Sequence, residues 1–210
     1  MNLILNLLLV IITVISLYLL KNHLSGKTND NLLDIFVTAI DQNSTKMYFG
    51  QSDGGYLDVT TSVNLDGVIG GLNAVQVDVN NDGFLDFYLG TGQPDIAELV
   101  PNQMFFNNKG MKVNDITMSI GMGHLQKGHA ISFADFDNDG DQDVFQQMGG
   151  AKNVDKFRDA LYANPGFNNN WIKIRLQGVQ SNRSAIGAKV KITLDQGNQH
   201  IYRSINTGGS

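Results

Sequence analysis

The sequence predicts an all-β protein on three observations: a turn-forming composition, apolar residues that alternate with a period of two, and an internal repeat. Of the 210 residues, 42% are hydrophobic, which suffices for a buried core, and only 17% are charged. The 23 Gly and the frequent Asn and Asp favour short strands joined by tight turns. Cys is absent, which excludes disulfides, thiolate metal ligands and a cysteine nucleophile.

The first element is an apolar segment, residues 3–20, that contains no charged side chain. Its length approaches that needed to cross a bilayer, so we predict an N-terminal hydrophobic helix. Residues 1–29 are therefore assigned to a signal peptide or a signal anchor. Lys21, His23 and Lys27 follow the segment instead of preceding it, and the positive-inside rule would keep the remainder of the chain in the cytoplasm.

The next element is an ungapped repeat with a period of 57 residues. The matching pairs are Met47 and Met104, Asp58 and Asp115, Thr60 and Thr117, Asp78 and Asp135, Gly83 and Gly140, and Asp86 and Asp143. A third copy opens at Leu161 and Tyr162. A fixed period of this length indicates stacked units, none of which buries its apolar face alone.

Within each unit, alternating apolar residues flank an acidic stretch. Ile131 and Phe133 alternate with other residues before one such stretch, and Leu85, Phe87 and Leu89 do so after the other. This period of two predicts a β-hairpin around each stretch. Two further strand patterns complete each unit, and four short strands per unit are typical of a β-propeller blade.

The two acidic stretches are loop 1, residues 78–86 (DVNNDGFLD), and loop 2, residues 135–143 (DFDNDGDQD). Both carry oxygen-bearing side chains at positions 1, 3, 5 and 9 and Gly at position 6. Calcium prefers six to eight oxygen ligands, and alternate positions of a tight loop can direct oxygens to one point. The backbone carbonyls of Phe84 and Asp141, at position 7, would add a further ligand. We therefore predict two Ca²⁺ sites.

The acidic pattern has three alternatives to a calcium loop: an EF-hand, a solvated turn and a magnesium site. An EF-hand requires Glu at position 12, and Leu89 and Gln146 stand there. A solvated Asp-rich turn is the ordinary fate of such clusters, but two copies with Gly at the same position argue against it. Magnesium prefers to keep its waters, whereas a cage of protein oxygens favours calcium.

Loops 1 and 2 resemble the calcium hairpins of FG-GAP or VCBS repeats, which form integrin-α-like β-propellers. The resemblance implies that the side-chain metal ligands are Asp78, Asn80, Asp82 and Asp86 in loop 1 and Asp135, Asp137, Asp139 and Asp143 in loop 2. The stretches 170–178 (NWIKIRLQG) and 181–188 (SNRSAIGA) resemble the start of an ASPIC/UnbV domain. Propeller followed by ASPIC/UnbV is similar to bacterial secreted proteins and to the cartilage acidic protein family.

This resemblance implies a partial β-propeller in residues 30–165 and a truncated, β-rich ASPIC/UnbV domain in residues 166–210. A closed propeller of this kind has about seven blades, and the chain offers two clear repeats and the edge of a third. We therefore expect the chain to be a fragment. The resemblance also implies export, with a secreted, periplasmic or cell-surface location, and contact with the membrane only through the N-terminal segment.

Charge is distributed unevenly along the chain. Residues 30–165 are strongly acidic, whereas residues 166–210 are basic. Lys173, Arg175, Lys189 and Lys191 alternate with apolar residues, as expected for the outer face of two strands. That face is either an ordinary solvated surface, a site for an anionic ligand, or a surface that docks against the acidic loops. Nucleic acid is not an expected partner of an exported, net acidic chain.

The sequence predicts no catalytic residue, because His124 and His129 lack an accompanying motif of catalytic spacing. We predict a non-enzymatic, calcium-binding exported propeller module that serves adhesion or binds a protein or glycan ligand outside the cell. The alternative is an accessory domain of an exported enzyme that degrades polysaccharide or phospholipid.

Overall fold

The structure is a computed structural model that describes residues 15–21, 32–39, 45–69, 71, 73–91, 100–125, 127–149, 154, 156–180, 182–194 and 199–205. Within these residues the chain forms thirteen strands and no helix, which confirms the predicted all-β class. The strands are β1 (Ile15–Lys21), β2 (Leu33–Ala39), β3 (Lys46–Gly50), β4 (Tyr56–Asp58), β5 (Asn73–Val77), β6 (Asp86–Gly90), β7 (Gln103–Asn108), β8 (Lys112–Asp115), β9 (Gly128–Ala134), β10 (Asp143–Met148), β11 (Ala160–Tyr162), β12 (Lys189–Leu194) and β13 (Gln199–Ser204).

The strands form small antiparallel sheets in chain order. Sheet A contains β1 to β4, sheet B contains β5 to β8, and sheet C contains β9 to β11, while β12 and β13 form a separate hairpin. Within sheets A, B and C each strand pairs with the next one along the chain. The sheets of the described part of the chain do not close into a barrel or a ring.

The predicted N-terminal helix falls mainly on residues 1–14, which lie outside the described residues. Of the predicted segment, the structure describes only residues 15–20, which belong to strand β1, and the prediction of an N-terminal helix stays a prediction. β1 is the edge strand of sheet A and pairs on one side with β2, with Ile15 opposite Ala39 and Lys21 opposite Leu33. No helix long and apolar enough to cross a bilayer occurs in the described ranges. The assignment of residues 1–29 to a signal peptide or anchor stays a prediction.

Sheet B lies between sheets A and C. Phe87 and Leu89 of sheet B pack with Met47 of sheet A in one apolar cluster. From the opposite face, Tyr88 packs with Val144 of sheet C in a second cluster. Every residue of β6 is buried as a result. Burial on both faces makes sheet B the centre of the described structure.

Hydrogen bonds recur at an interval of 57 residues. The Thr60 hydroxyl accepts the backbone N–H of Met47 at 3.0 Å, and the Thr117 hydroxyl accepts that of Met104 at 2.8 Å. The two threonines also accept equivalent backbone bonds at their carbonyls, at 3.0 and 3.1 Å, from the residues five positions further on. The turn that follows the fourth strand is therefore built in the same way in sheets A and B.

The C-terminal part of the chain lies against the loop ends of sheets B and C. After β11 the chain runs without a strand to residue 180, and β12 then pairs with β13, with Val190 opposite Arg203. Asn164 and Asn169 donate side-chain hydrogen bonds to the backbone carbonyls of Val79 and Asn80 in loop 1, at 2.8 and 2.9 Å. The assignment of residues 166–210 to a separate domain stays a prediction.

Candidate metal centre

Two antiparallel strand pairs hold the acidic loops. Loop 1 joins β5 to β6, and loop 2 joins β9 to β10. The loops are in contact, because the Asn81 amide of loop 1 donates to Asp141 Oδ1 of loop 2 at 2.6 Å and to the Gly140 carbonyl at 3.3 Å. The pairing of consecutive sheets thus brings two stretches of like charge side by side.

Each loop bends at positions 4 and 6, where the backbone is left-handed. In loop 1, φ is 56° at Asn81 and 91° at Gly83, and in loop 2 it is 65° at Asn138 and 98° at Gly140. Asn tolerates this conformation better than most residues, and Gly adopts it without a Cβ clash. The NDG sequence shared by the loops therefore explains why they have the same bend.

The ninth-position aspartates have a structural role that the sequence did not reveal. Both are buried. Asp86 accepts the backbone N–H of Val79 at Oδ2, at 3.1 Å, and that of Asn107 at Oδ1, at 2.8 Å. Asp143 makes the same two bonds, with partners 57 residues further along the chain, at 3.0 and 2.8 Å. Each aspartate ties its loop to the chain at or just beyond the end of a later strand, β7 for Asp86 and β11 for Asp143, and each oxygen retains a lone pair for a metal.

Loop 2 brings three carboxylates together. Asp135, Asp137 and Asp139 each offer one oxygen, and these oxygens all lie within 4.8 Å of one another. Asp137 and Asp139 are exposed, whereas the Asp135 side chain is only 6% exposed. Asp135 Oδ1 is buried and has no hydrogen-bond partner among the described residues. Such an oxygen is costly to bury unless a cation or donor satisfies it, so this group fits a hard metal ion.

Loop 1 has a different set of contacts around its first carboxylate. Asp78 Oδ1 accepts the backbone N–H of Asp82 at 3.0 Å, and Asp78 Oδ2 accepts that of Gly83 at 3.0 Å. Asp78 Oδ2 also lies 2.8 Å from Nη2 of Arg203. The side-chain oxygens of Asn80 and Asp82 accept backbone N–H groups within the loop, at 3.1 and 2.9 Å. Asp137 and Asp139 accept the equivalent bonds in loop 2, at 3.2 and 2.9 Å, so the loops differ at their first-position aspartates.

Burial shapes the electrostatics of loop 1. It raises the pKa of Asp78 to about 6, although the Arg203 guanidinium acts in the opposite direction. It also raises the pKa of Asp86 to about 8, against the hydrogen bonds from Asn107 and Val79. In loop 2, burial acts to raise the pKa of Asp135, but the Gly140 N–H and the Lys173 ammonium together hold that pKa below its ordinary value.

The predicted position-7 ligands differ between the loops. The Phe84 side chain is buried. The Asp141 side chain is also buried and accepts the hydrogen bond from Asn81. That the carbonyls of these two residues bind a metal stays a prediction.

The C-terminal region supplies contacts that sequence reasoning missed. A β-carbon built on Gly140 would lie 2.0 Å from the Trp171 ring, and one on Gly83 would lie 2.7 Å from Cδ1 of Ile201. A basic residue follows two positions after each of these side chains and forms an ion pair with the first aspartate of the same loop. Lys173 Nζ lies 3.3 Å from Asp135 Oδ2, and Arg203 Nη2 lies 2.8 Å from Asp78 Oδ2. The surplus of basic residues after 165 was the available signal, but it did not indicate which of them reach the loops.

The same region and the β5 and β9 edges enclose a groove of about 680 Å³. Its walls are mostly apolar, with Val77 and Phe133 on one side and Ile174 and Ile192 on the other. Asp78 and Asp135 stand in the lining with their cationic partners. The two loops therefore form one face of the contact between the sheets and the C-terminal region.

Comparison of the chain with protein-family models and with curated proteins finds no match.

Proposed function

We propose that the chain is a non-catalytic, calcium-stabilised binding module whose sheets A, B and C are propeller blades of the FG-GAP/VCBS type. The calcium part of this proposal is carried by Asp135 Oδ1, a buried acceptor without a partner among the described residues, on a side chain grouped with Asp137 and Asp139. A bound cation would satisfy that oxygen and would offset the repulsion among the three carboxylates.

The donor set favours calcium over other metals. The predicted ligands are carboxylate, amide and carbonyl oxygens, which suit hard cations and not the softer ions that prefer imidazole or thiolate. Magnesium demands a small octahedral shell that is largely water, whereas a nine-residue loop with oxygens at alternate positions suits the larger shell of calcium. Loop 2 is the principal site in this proposal, and loop 1 is the second.

The blade assignment is supported by the order and packing of the sheets. Sheets A, B and C are consecutive antiparallel meanders that stack with sheet B in the middle, as neighbouring propeller blades do. The Asn81–Asp141 hydrogen bond joins loop 1 of sheet B to loop 2 of sheet C. A metal in either loop would therefore lie where the two sheets meet and would also stabilise their packing.

Export, and adhesion or binding of a protein or glycan outside the cell, rest on the apolar segment at residues 3–20 and on the family resemblance. The proposed extracellular location agrees with the solvent exposure of two predicted ligands, Asp137 and Asp139. Extracellular calcium modules function with dissociation constants of roughly 10⁻⁴ to 10⁻³ M, so a site with two exposed ligands would be filled there.

Thermal unfolding of the full chain tests the calcium proposal. The chain is melted in chelator, in excess CaCl₂ and in excess MgCl₂, beside a variant carrying Asp135→Asn and Asp139→Asn. We expect calcium to raise the Tm of the wild type by several degrees and magnesium to raise it less, and we expect the variant to keep only the smaller response to calcium that loop 1 supplies. A wild-type Tm that is the same in chelator and in calcium would overturn the proposal.

A further inference from the structure

The two cations that meet the acidic loops are held in different ways. Arg203 is on β13, a strand paired with β12, and its side chain is 29% exposed. Its Nη2 lies 2.8 Å from Asp78 Oδ2, and both Nη1 and Nη2 lie 3.4 Å from the Gly83 carbonyl. Lys173 belongs to a segment without strand pairing, and its side chain is 67% exposed. Arg203 is thus a largely buried cation with several contacts to loop 1, whereas Lys173 is a solvent-exposed cation with one contact to loop 2.

The first-position aspartates also differ in how many of their oxygens have a partner. Asp78 has both oxygens engaged, by two backbone N–H groups and by Arg203. Lys173 meets Asp135 at Oδ2, and Oδ1 of that residue is left without a partner among the described residues. Loop 1 also holds fewer carboxylates, because Asn80 and Phe84 stand where loop 2 has Asp137 and Asp141.

We propose that Arg203 is the resident cation of loop 1, so that a divalent ion binds loop 2 first and enters loop 1 only by weakening the Arg203–Asp78 pair. This inference rests on the proposed calcium function and specifies how the two sites differ. A guanidinium keeps its charge at all physiological pH values, so it repels a second cation drawn to the same carboxylate. By linkage, an ion in loop 1 and docking of β13 on that loop oppose each other.

Isothermal titration calorimetry of the full chain with CaCl₂ tests the inference. The titration is made in a variant that carries Asp139→Asn, which blocks loop 2, so the calcium binding that remains is that of loop 1. In that background we expect Arg203→Met to tighten calcium binding to loop 1 about tenfold, within the range of ordinary coupling between sites. Arg203→Lys should tighten it by a smaller factor, because an ammonium makes a less rigid contact. Arg175→Met is the matched control, since it removes one exposed charge from the same region, and it should change the affinity less than twofold.

The direction in which the calcium affinity of loop 1 changes shows whether Arg203 competes with the ion or supports the structure of the loop. Loss of support for the loop would weaken calcium binding, whereas loss of a competitor tightens it. If Arg203→Met does not fold, Arg203→Lys decides by the same criterion. An unchanged or weaker affinity of loop 1 in the folded variants overturns the inference, while calcium binding to loop 2 of the wild type would still stand. Absence of calcium binding in the wild type and in all variants would instead overturn the proposed function.

Discussion

Loop 1 and loop 2 have the same backbone but different surroundings. Both bend at left-handed Asn and Gly residues, and both are tied to the next strand by a buried ninth-position aspartate. They differ in what reaches their first carboxylate: Asp78 is paired with a largely buried arginine, and Asp135 with an exposed lysine that leaves one oxygen without a partner among the described residues. The comparison shows that two loops with the same backbone can have different partners far along the chain, and in our proposal those partners set how readily a cation enters.

The largest expected difference between the loops is in stabilisation by calcium. At a calcium concentration about a hundredfold above the Kd of loop 2, we expect the ion to add about 2.7 kcal/mol to the free energy of unfolding. Asp139→Asn should remove most of that gain, whereas the matched change Asp82→Asn in loop 1 should remove little. Chemical denaturation of the three proteins in calcium and in chelator measures both effects. Equal losses for the two variants would contradict the difference between the loops.

The position-6 glycines provide a comparison that does not depend on metal. Gly140→Ala places a β-carbon 2.0 Å from the Trp171 ring, and Gly83→Ala places one 2.7 Å from Cδ1 of Ile201, the flexible end of that side chain. Both changes also strain a left-handed backbone, at a cost of about 1–2 kcal/mol. We therefore expect Gly140→Ala to lower the free energy of unfolding by about 3 kcal/mol and Gly83→Ala by about 1–2 kcal/mol. Denaturation in chelator measures this, and a larger loss at Gly83 would contradict the packing described.

The pKa shifts predict a pH dependence to which loop 1 contributes most. Because the folded, ion-free state raises the pKa of Asp78 to about 6 and that of Asp86 to about 8, protonation favours folding. This contribution is fully present below the ordinary carboxyl range and is lost as pH rises through 6 and then 8. In chelator, we expect the wild type to be more stable at pH 6 than at pH 8, by at most about 1.4 kcal/mol per pH unit for each proton bound.

Saturating calcium should abolish that dependence, since a metal binds the ionised carboxylates. Denaturation curves at pH 6, 7 and 8, with calcium and with chelator, provide the test. A wild type whose stability in chelator does not fall as pH rises from 6 to 8 would contradict the raised pKa of Asp86.

The smallest expected effect concerns Lys173. Its ammonium is mostly exposed and lies 3.3 Å from Asp135, so the pair is screened by water and by salt. We expect Lys173→Met to change the free energy of unfolding in chelator by less than about 1 kcal/mol, and the difference to vanish in 1 M NaCl. Denaturation at low and high salt measures the change, and a large loss that persists in high salt would mean that Lys173 anchors the C-terminal segment.

Much of the local structure could be predicted from the sequence. The alternation of Leu85, Phe87 and Leu89 and the NDG turns predict strand pairs around each loop, and these pairs are present. Alternation also suggests one buried face, but β6 is buried on both, because its far side packs on sheet C. Local periodicity does not contain that information, since it depends on how separate sheets stack.

The contacts of the site were less accessible to sequence reasoning. Arg203 and Asp78 are 125 residues apart, and no local pattern distinguishes Arg203 from the other basic residues near it. The backbone hydrogen bonds of Asp86 and Asp143 to Asn107 and Asn164 could not be predicted either, because these partners lie 21 residues further along the chain. The loop pattern alone predicts only that the two aspartates bind a metal. Long-range partners of charged side chains require the tertiary structure.

The most direct test of the difference between the loops is a calcium titration of the full chain that is measured in two ways. Calorimetry records the heat of binding, and fluorescence records the tryptophan emission. Trp171 is the only tryptophan in the sequence and packs on loop 2 at Gly140, so its emission reports on that loop. We predict that the emission change is complete after one equivalent of calcium, while heat continues to a second, weaker event. Emission that changes only with the second ion, or together with both, would contradict the account.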